Sequence, residues 1–324
     1  MPEPAANLPR KTFHRPMPST RPSDHADITL GLSQRPARIS PKYFYDQHGS
    51  RLFEAITQLP EYYPTRTENA LMQQHAADIA RTVGTGRTLI ELGAGSCQKA
   101  RTLCQLLKPA CFVGVDISVD FLQDAVAAMS ADLPWLDARA VGGDMTQGVH
   151  LPDDVPRTGR LVFYPGSSIG NFDPPHALQL LAHMRELIDD DGGLLIGIDL
   201  PKDVTVLEAA YDDAAGVTAE FNRNVLRHVN RLIGSDFDVA QWQHRAFFNT
   251  EESRIEMHLE AMADSQVRWP GGQRVFEQGE RIHTENSYKY PLPVFTDMLA
   301  RAGFTQAQAW TDERGWFAVV HARP

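Results

Sequence analysis

The sequence predicts an α/β protein. A doubly wound, mostly parallel sheet closes on an antiparallel C-terminal hairpin, and a second, smaller α+β lobe stands beside it. Apolar runs at 87–92, 111–116, 137–142, 160–165 and 193–199 alternate with helical patterns that start near Ser96, Val119 and Pro175. Gln306–Asp312 and Trp316–His321 are separated only by Glu313-Arg314-Gly315, the arrangement of a hairpin. Between about 201 and 285 the strand–helix rhythm stops, which marks an inserted unit.

Taken in order, residues 1–24 are rich in proline and basic residues with little apolar periodicity, and predict a flexible or surface-hugging arm. Residues 25–83 read as helices. Asp46-Gln47-His48-Gly49-Ser50 predicts a turn, Arg51–Leu59 a short amphipathic helix, and Glu61-Tyr62-Tyr63-Pro64 a break, because the proline ring disfavours a helical Tyr63. A helix is expected from about Thr67 to Val83. Within the insertion, Val225, Leu226, Val229, Leu232 and Ile233 follow the helical template, and Arg245–Asn249 and Arg254–Ala261 read as strands. The expected organisation is therefore an arm at 1–24, N-terminal helices at 25–83, a main domain at 84–200 and 286–324, and an inserted lobe at 201–285.

Bulk properties exclude several classes. The 324 residues are 42% hydrophobic, enough for one large core or two modest ones. A formal charge of −10 argues against a broad nucleic-acid or anionic-membrane surface. No apolar run is long enough to span a bilayer, and the N-terminus has no secretory signal pattern. The 3 cysteines, Cys97, Cys104 and Cys111, form no C-x-x-C, so they read as small buried apolar residues in a reducing cytosol. A cytoplasmic monomer is expected. No metal is expected either, since the 12 histidines form no H-E-x-x-H or comparable spacing.

Thr88-Leu-Ile-Glu91-Leu-Gly93-Ala-Gly95 is a strand running into a glycine turn, and a second strand ends at Asp116. Small residues let a nucleoside-bearing ligand approach the backbone, and an acid after the second strand suits two ribose hydroxyls. A nicotinamide fingerprint would need glycine or alanine where Gln98 stands. S-adenosylmethionine (SAM) lacks the pyrophosphate and needs only the first part of the motif. Glu91 before the glycines also fits the E-x-G-x-G pattern of class I SAM methyltransferases. Asp144, in Gly142-Gly143-Asp144-Met145, follows the third strand, where an acid can accept from an adenine amino group. Lys99 is placed to face SAM's carboxylate from the first helical turn. The cofactor-side candidates are Glu91, Gly93, Gly95, Lys99, Asp116, Asp144 and Met145.

Four segments are richer in polar and aromatic residues than a core requires: Tyr43-Phe44-Tyr45-Asp46, Leu59 to Pro64, Gly166 to Phe172, and His283 to Tyr290. Together with Arg254-Ile255-Glu256-Met257 and the stretch from Ala219 to Phe237, they resemble the SAM-dependent histidine Nα-methyltransferases of the ergothioneine pathway, which convert L-histidine to the betaine hercynine. The resemblance runs from about Tyr43 to the C-terminus. It implies that Tyr45, Asn171 and Tyr211 hold the amino-acid backbone and that Phe53, Tyr62, Gly166 and Ser168 line the same space. It further implies that Glu285 and Ser287 hold the imidazole with Met257 beside it. The family usually has threonine where Ser168 stands. L-Histidine and its mono- and dimethylated forms are then the substrates, and S-adenosylhomocysteine is the second product. Residue chemistry agrees, since neutral imidazole offers one N–H donor and one acceptor, which a carboxylate and a hydroxyl can serve. Three alternatives stand beside this reading: an N-methyltransferase of another amino acid or aromatic amine, an NAD-dependent oxidoreductase, and a catalytically silent SAM-binding regulator.

Overall fold

The computed structural model describes residues 13–14 and 25–324. In chain order the elements are β1 (Phe13–His14), α1 (Ala26–Ser33), β2 (Ala37–Arg38), α2 (Gln47–Ile56), α3 (Tyr63–Gln74), α4 (Ala76–Val83), β3 (Thr88–Leu92), α5 (Gln98–Leu107), β4 (Cys111–Asp116), α6 (Val119–Asp132), β5 (Asp137–Gly142), β6 (Arg160–Tyr164), α7 (Pro174–Glu186) and β7 (Gly193–Asp199). There follow α8 (Val204–Ala209), α9 (Val217–Ile233), β8 (Trp242–Asn249), β9 (Arg254–Ala261), β10 (Ser265–Trp269), β11 (Gly272–Phe276), β12 (Arg281–Tyr288), α10 (Leu292–Arg301), β13 (Gln306–Thr311) and β14 (Phe317–Arg323).

The large sheet has the order β1-β5-β4-β3-β6-β7-β14-β13. Its strands are parallel except β14, which runs antiparallel between β7 and β13. β3 pairs β4 on one side and β6 on the other, so the order reverses at β3 and opens a crevice at its carboxyl end. β3 and β7 are buried along their whole length, which explains why they are mostly apolar; Glu91 in β3 and Asp199 at the end of β7 are the charged exceptions. Leu89 packs with Leu103, Phe112 and Leu122 on one face, while Ile90 packs with Leu180, Leu181 and Phe295 on the other. The expected strands and terminal hairpin are present. The three cysteines are free and buried, and burial pushes their thiols up.

The second sheet has the order β2-β12-β9-β8. Ile255, Met257 and Leu259 of β9 pack with Phe221, Val225, Leu226 and Val229 of α9. β12 carries a bulge between His283 and Glu285, after which Glu285 opposes Met257 and Ser287 opposes Ile255. The extra residue, Thr284, is buried, and its hydroxyl donates to the Met257 carbonyl at 3.0 Å. The bulge therefore turns Glu285 and Ser287 toward the interior rather than the open face.

Several local expectations are corrected. The supposed turn at Gln47–Ser50 is the first part of α2, because the Asp46 carboxylate accepts from Gly49 N–H at 2.7 Å and caps the helix. Tyr63 is helical, since Pro64 lies in the first turn, where its missing N–H costs nothing. The helix expected over Thr67–Val83 is two, divided at His75. α5 starts at Gln98 rather than Ser96, after Cys97 in a left-handed conformation. α8, β10, β11 and β12 were not foreseen, and α9 begins well before Val225. The arm expected at 1–24 lies outside the described residues, apart from Phe13–His14, which pair in parallel with Ala140–Val141 at the sheet edge. Among the described residues, no helix is long and apolar enough to cross a membrane.

Candidate active site

The turn after β3 depends on Gly93 and Gly95, both at positive φ. A Cβ at Gly93 would meet the Met145 methyl at 3.3 Å, whereas one at Gly95 would meet nothing within 4 Å, so the turn borders open space. Gly95 N–H donates to Asp116 Oδ2 at 2.9 Å and Ser118 N–H donates to Oδ1 at 2.8 Å. Burial pushes the Asp116 carboxyl up, and these N–H groups oppose the shift. Glu91 is buried with Oε2 lacking a partner, and burial pushes its carboxyl well above the usual range against the pull of Lys99. A glycine cradle beside an unpartnered buried carboxyl oxygen fits a nucleoside bearing hydroxyl and amino groups.

Two cofactor-side candidates already have partners. Asp144 accepts from Thr146 N–H at 3.0 Å and its hydroxyl at 2.6 Å, with Lys42 at 3.5 Å. Lys99 pairs with Glu68, a residue the sequence reading passed over. Glu68 is buried and also accepts from Gly166 N–H at 2.9 and 3.0 Å, so one carboxylate joins the cofactor side to the substrate-side loop. The available signal was an acid on the same helical stripe as Pro64 and Leu71, the buried face of α3. Glu68→Ala should destabilise the fold by about 3 kcal/mol, because it strands a largely buried lysine and an amide. A urea titration in which Glu68→Ala matched the parent would contradict that coupling.

The loop after β6 turns through Gly166 and Ser167, both at positive φ. Ser167 Oγ accepts from Asp199 N–H at 2.8 Å, and Ser168 Oγ donates to the Pro165 carbonyl at 3.2 Å. A Cβ at Gly170 would lie 2.8 Å from the Tyr288 carbonyl oxygen, so the loop is seated directly on β12. Asn171 and Glu285 consequently line one cavity of about 300 Å³, whose outer wall includes Ile39, Ser40 and Pro41.

A row of aromatic rings, outside the lining of that cavity, stands on the interior side within reach of the Glu285 charge. Tyr45 lies 5.9 Å from Phe53, Phe53 6.2 Å from Tyr62, and Tyr62 6.3 Å from Tyr211, all edge-on. Burial pushes the hydroxyls of Tyr45, Tyr62 and Tyr211 up, and the charge of Glu285 adds to each shift. Burial also pushes the Glu285 carboxyl up to about 8, while Lys289 pulls it down. Tyr211 Oη donates to Ser287 Oγ at 2.7 Å. Met257 is buried opposite Glu285. The structure thus brings Tyr45, Phe53, Tyr62, Asn171, Tyr211, Met257, Glu285 and Ser287 to one region, next to Gly166 and Ser168. The Ser118 hydroxyl donates to the Tyr45 carbonyl, which ties this region to the turn after β4.

Sequence reasoning also missed a buried ionic group. Asp199 accepts from Tyr63 Oη at 2.5 Å, Lys202 Nζ at 2.5 Å and Lys289 Nζ at 2.8 Å. Its partners lie far apart in sequence, so no spacing reveals it. One cluster with metal-ligating residue types occurs among the described residues, Glu256, His258 and His283. Glu256 and His258 alternate with the core residues of β9, and His283 of β12 stands opposite His258, so the three occupy the other face of the small sheet. Glu256 is already engaged by Arg254 at 2.7 Å, Asn249 at 2.9 Å and His258 at 2.9 Å.

Residues 24–324 match a family model described as histidine-specific methyltransferase, SAM-dependent. The chain is 41% identical over 300 residues to the histidine N-alpha-methyltransferase of Mycolicibacterium smegmatis, covering 90% of this chain and 92% of that protein. The protein of the same name from Mycobacterium tuberculosis is 39% identical with the same coverage. Ergothioneine biosynthesis protein 1 of Neurospora crassa is 27% identical over 89% of this chain, which matches 34% of that protein. Among solved structures, a SAM-dependent methyltransferase from Clostridium acetobutylicum has a TM-score of 0.50 at 11% identity, covering 84% of this chain and 98% of that one, a likeness of fold.

Proposed function

The chain belongs to the SAM-dependent, histidine-specific methyltransferase family, and from that premise we propose that it trimethylates the α-amino nitrogen of L-histidine to hercynine, a step of ergothioneine biosynthesis. One observation carries the residue-level reading. The β12 bulge turns Glu285 and Ser287 into the buried space that Tyr45, Tyr62 and Tyr211 enclose, beside the Gly166–Asn171 loop. A carboxylate and a hydroxyl two residues apart on one strand face match the two ring nitrogens of an imidazole.

When bound, SAM supplies a methyl carbon made electrophilic by its sulfonium. Gly93 and Gly95 let it approach the backbone, Asp116 takes the ribose hydroxyls, Asp144 and Met145 border the adenine, and Lys99 faces the methionyl carboxylate with Glu68 as its counter-charge. Glu91 offers its free oxygen to the same ligand. Asn171, Tyr45 and Tyr211 hold the amino-acid backbone, and Phe53, Tyr62, Gly166 and Ser168 shape the wall. Their task is alignment of nitrogen, methyl carbon and sulfur, which supplies roughly 7–11 kcal/mol in the best cases. The amine must shed a proton before attack. The tyrosines are held neutral by burial, so none takes that proton as a phenolate base; they can only relay it between hydroxyls to solvent water, which carries it away.

We further propose a cytoplasmic monomer in which 84–200 with 289–324 bind SAM, while 201–288, the helices of 25–83 and the Gly166–Asn171 loop enclose the amino acid; the boundary expected at 285/286 moves past Tyr288, because β12 is one strand of the small sheet. Mass spectrometry of the protein incubated with SAM and an amino-acid panel tests the function. Histidine should gain one, two and then three methyl groups. Phenylalanine, which leaves Glu285 and Ser287 unpaired, should be turned over roughly 10⁴-fold less efficiently. Equal turnover of the two would contradict the assignment of the ring site.

A further inference from the structure

Lys289 follows β12 and ends inside the protein, where neither it nor Asp199 exposes any side chain. An ammonium has three N–H donors and no acceptor. Lys289 directs all of them at Asp199 Oδ2 at 2.8 Å, Ser287 Oγ at 2.7 Å and Tyr211 Oη at 3.3 Å. Both hydroxyl oxygens must therefore accept from it. The same two oxygens are bonded to each other at 2.7 Å. That bond consumes one of the pair's two hydroxyl protons. The other has no acceptor among the described residues and is left for a ligand.

We infer that Lys289, anchored by Asp199, is a positioning residue that, with the Tyr211 hydroxyl, fixes Ser287 as a single-proton donor toward the substrate ring, and so selects the neutral imidazole. The inference rests on the substrate reading proposed above. The ring's bare nitrogen accepts from Ser287 and its N–H donates to the Glu285 carboxylate. An imidazolium would set a second N–H against the Ser287 proton, donor against donor. A six-membered carbocycle would satisfy neither group. The ligand class is thus an azole with one N–H and one ring lone pair.

Removing Lys289 does not strand Asp199, which keeps Lys202 at 2.5 Å and Tyr63 at 2.5 Å. Lys289→Met in the full-length protein is therefore a usable probe, read by calorimetry with L-histidine in the presence of S-adenosylhomocysteine. The histidine Kd should rise roughly 10–100-fold, the range for hydrogen bonds made by a charged group. The Kd for S-adenosylhomocysteine should stay within about twofold. In a Ser287→Ala background the same substitution should cost less than about a third of that fold-change, because the part that runs through Ser287 is gone and only the pull of Lys289 on the Glu285 carboxylate remains. Lys289→Gln carries the same comparison if the methionine variant does not fold. The inference is overturned if either variant binds histidine within about twofold of the parent, or if the full loss recurs on top of Ser287→Ala. A parent protein that binds S-adenosylhomocysteine but no histidine would instead remove the substrate reading beneath it.

Discussion

Glu285→Ala should weaken L-histidine binding by about 1.5–3 kcal/mol, or roughly 10–150-fold, with SAM affinity unchanged. The charge state of Glu285 gives the magnitude its reason. Its carboxyl is enclosed by Tyr45, Tyr62 and Tyr211, whose own hydroxyls feel its charge, and Lys289 is the cation opposing its desolvation. An imidazole N–H donating to that carboxylate regains a partner that burial had removed. Alanine leaves the ring N–H unpaired in a pocket walled by aromatic rings. The same burial sets a pH signature. The folded-state carboxyl is pushed up to about 8 from an ordinary 4.5, so the folded protein keeps this proton after the unfolded chain has lost it. Stability from this group is therefore full below about pH 4.5 and is lost as pH rises to about 8. Glu285→Gln, neutral at every pH, should melt with the parent near pH 4.5 and above it beyond pH 8. Histidine binding to the parent should tighten as the pH rises through about 8, where the folded protein's carboxylate form takes over. Unchanged calorimetry for Glu285→Ala would remove the residue from the site, and a melting difference that ignores pH would remove it from the interior.

The contrast between β7 and β12 explains what was legible. β7 is apolar from Gly193 to Ile198 because helices cover both its faces, and such runs announce themselves. β12 reads Arg-Ile-His-Thr-Glu-Asn-Ser-Tyr, since one face borders the site and a bulge breaks its alternation. A functional strand therefore lacks the signal by which strands are found. β10 and β11 were missed for a related reason: they form a two-stranded hairpin of their own in which only Val267, Arg274 and Phe276 are buried, too few apolar positions to mark a strand. Gly49 misled in another way. Aspartate three residues before a glycine suggests a turn, but here Gly49 is a helical residue whose Cβ would fall 1.8 Å from the Phe44 carbonyl oxygen, five residues back. The glycine serves the chain's close return over the start of α2, which sequence alone does not tell from a turn. At the site, Tyr45, Asn171, Glu285 and Ser287 stood out because they sit in polar, aromatic segments that no core needs. Glu68, Asp199 and Lys289 did not, because each is a buried charge justified by a partner from a distant segment. Lys289 even lay within a segment already singled out, but without Asp199 in view nothing local marks it.

Asp116→Ala should reduce SAM affinity by at least about 100-fold, since two hydrogen bonds to a charged acceptor are each worth about 1.5–3 kcal/mol. The carboxylate has roughly four lone-pair positions. Gly95 and Ser118 N–H groups occupy one on each oxygen, at 2.9 and 2.8 Å, which leaves one on each for the ribose hydroxyls. The two amides also aim the carboxylate, so its geometry is set before the ligand arrives. Alanine removes both ribose contacts and frees the Gly95 amide, loosening the cradle that admits the ligand. Asp116→Asn separates these effects. Its single carbonyl oxygen can satisfy only one of the two amides, so its loss should fall between parent and alanine. Because burial raises the Asp116 carboxyl, SAM binding should also fall as the pH is lowered into the carboxylate range, and Asp116→Asn should not share that fall. Calorimetry with SAM across that range reads both effects. An Asp116→Ala protein that binds SAM like the parent would mean that the nucleoside lies elsewhere along the crevice, and the assignment of Gly93, Gly95 and Met145 would go with it.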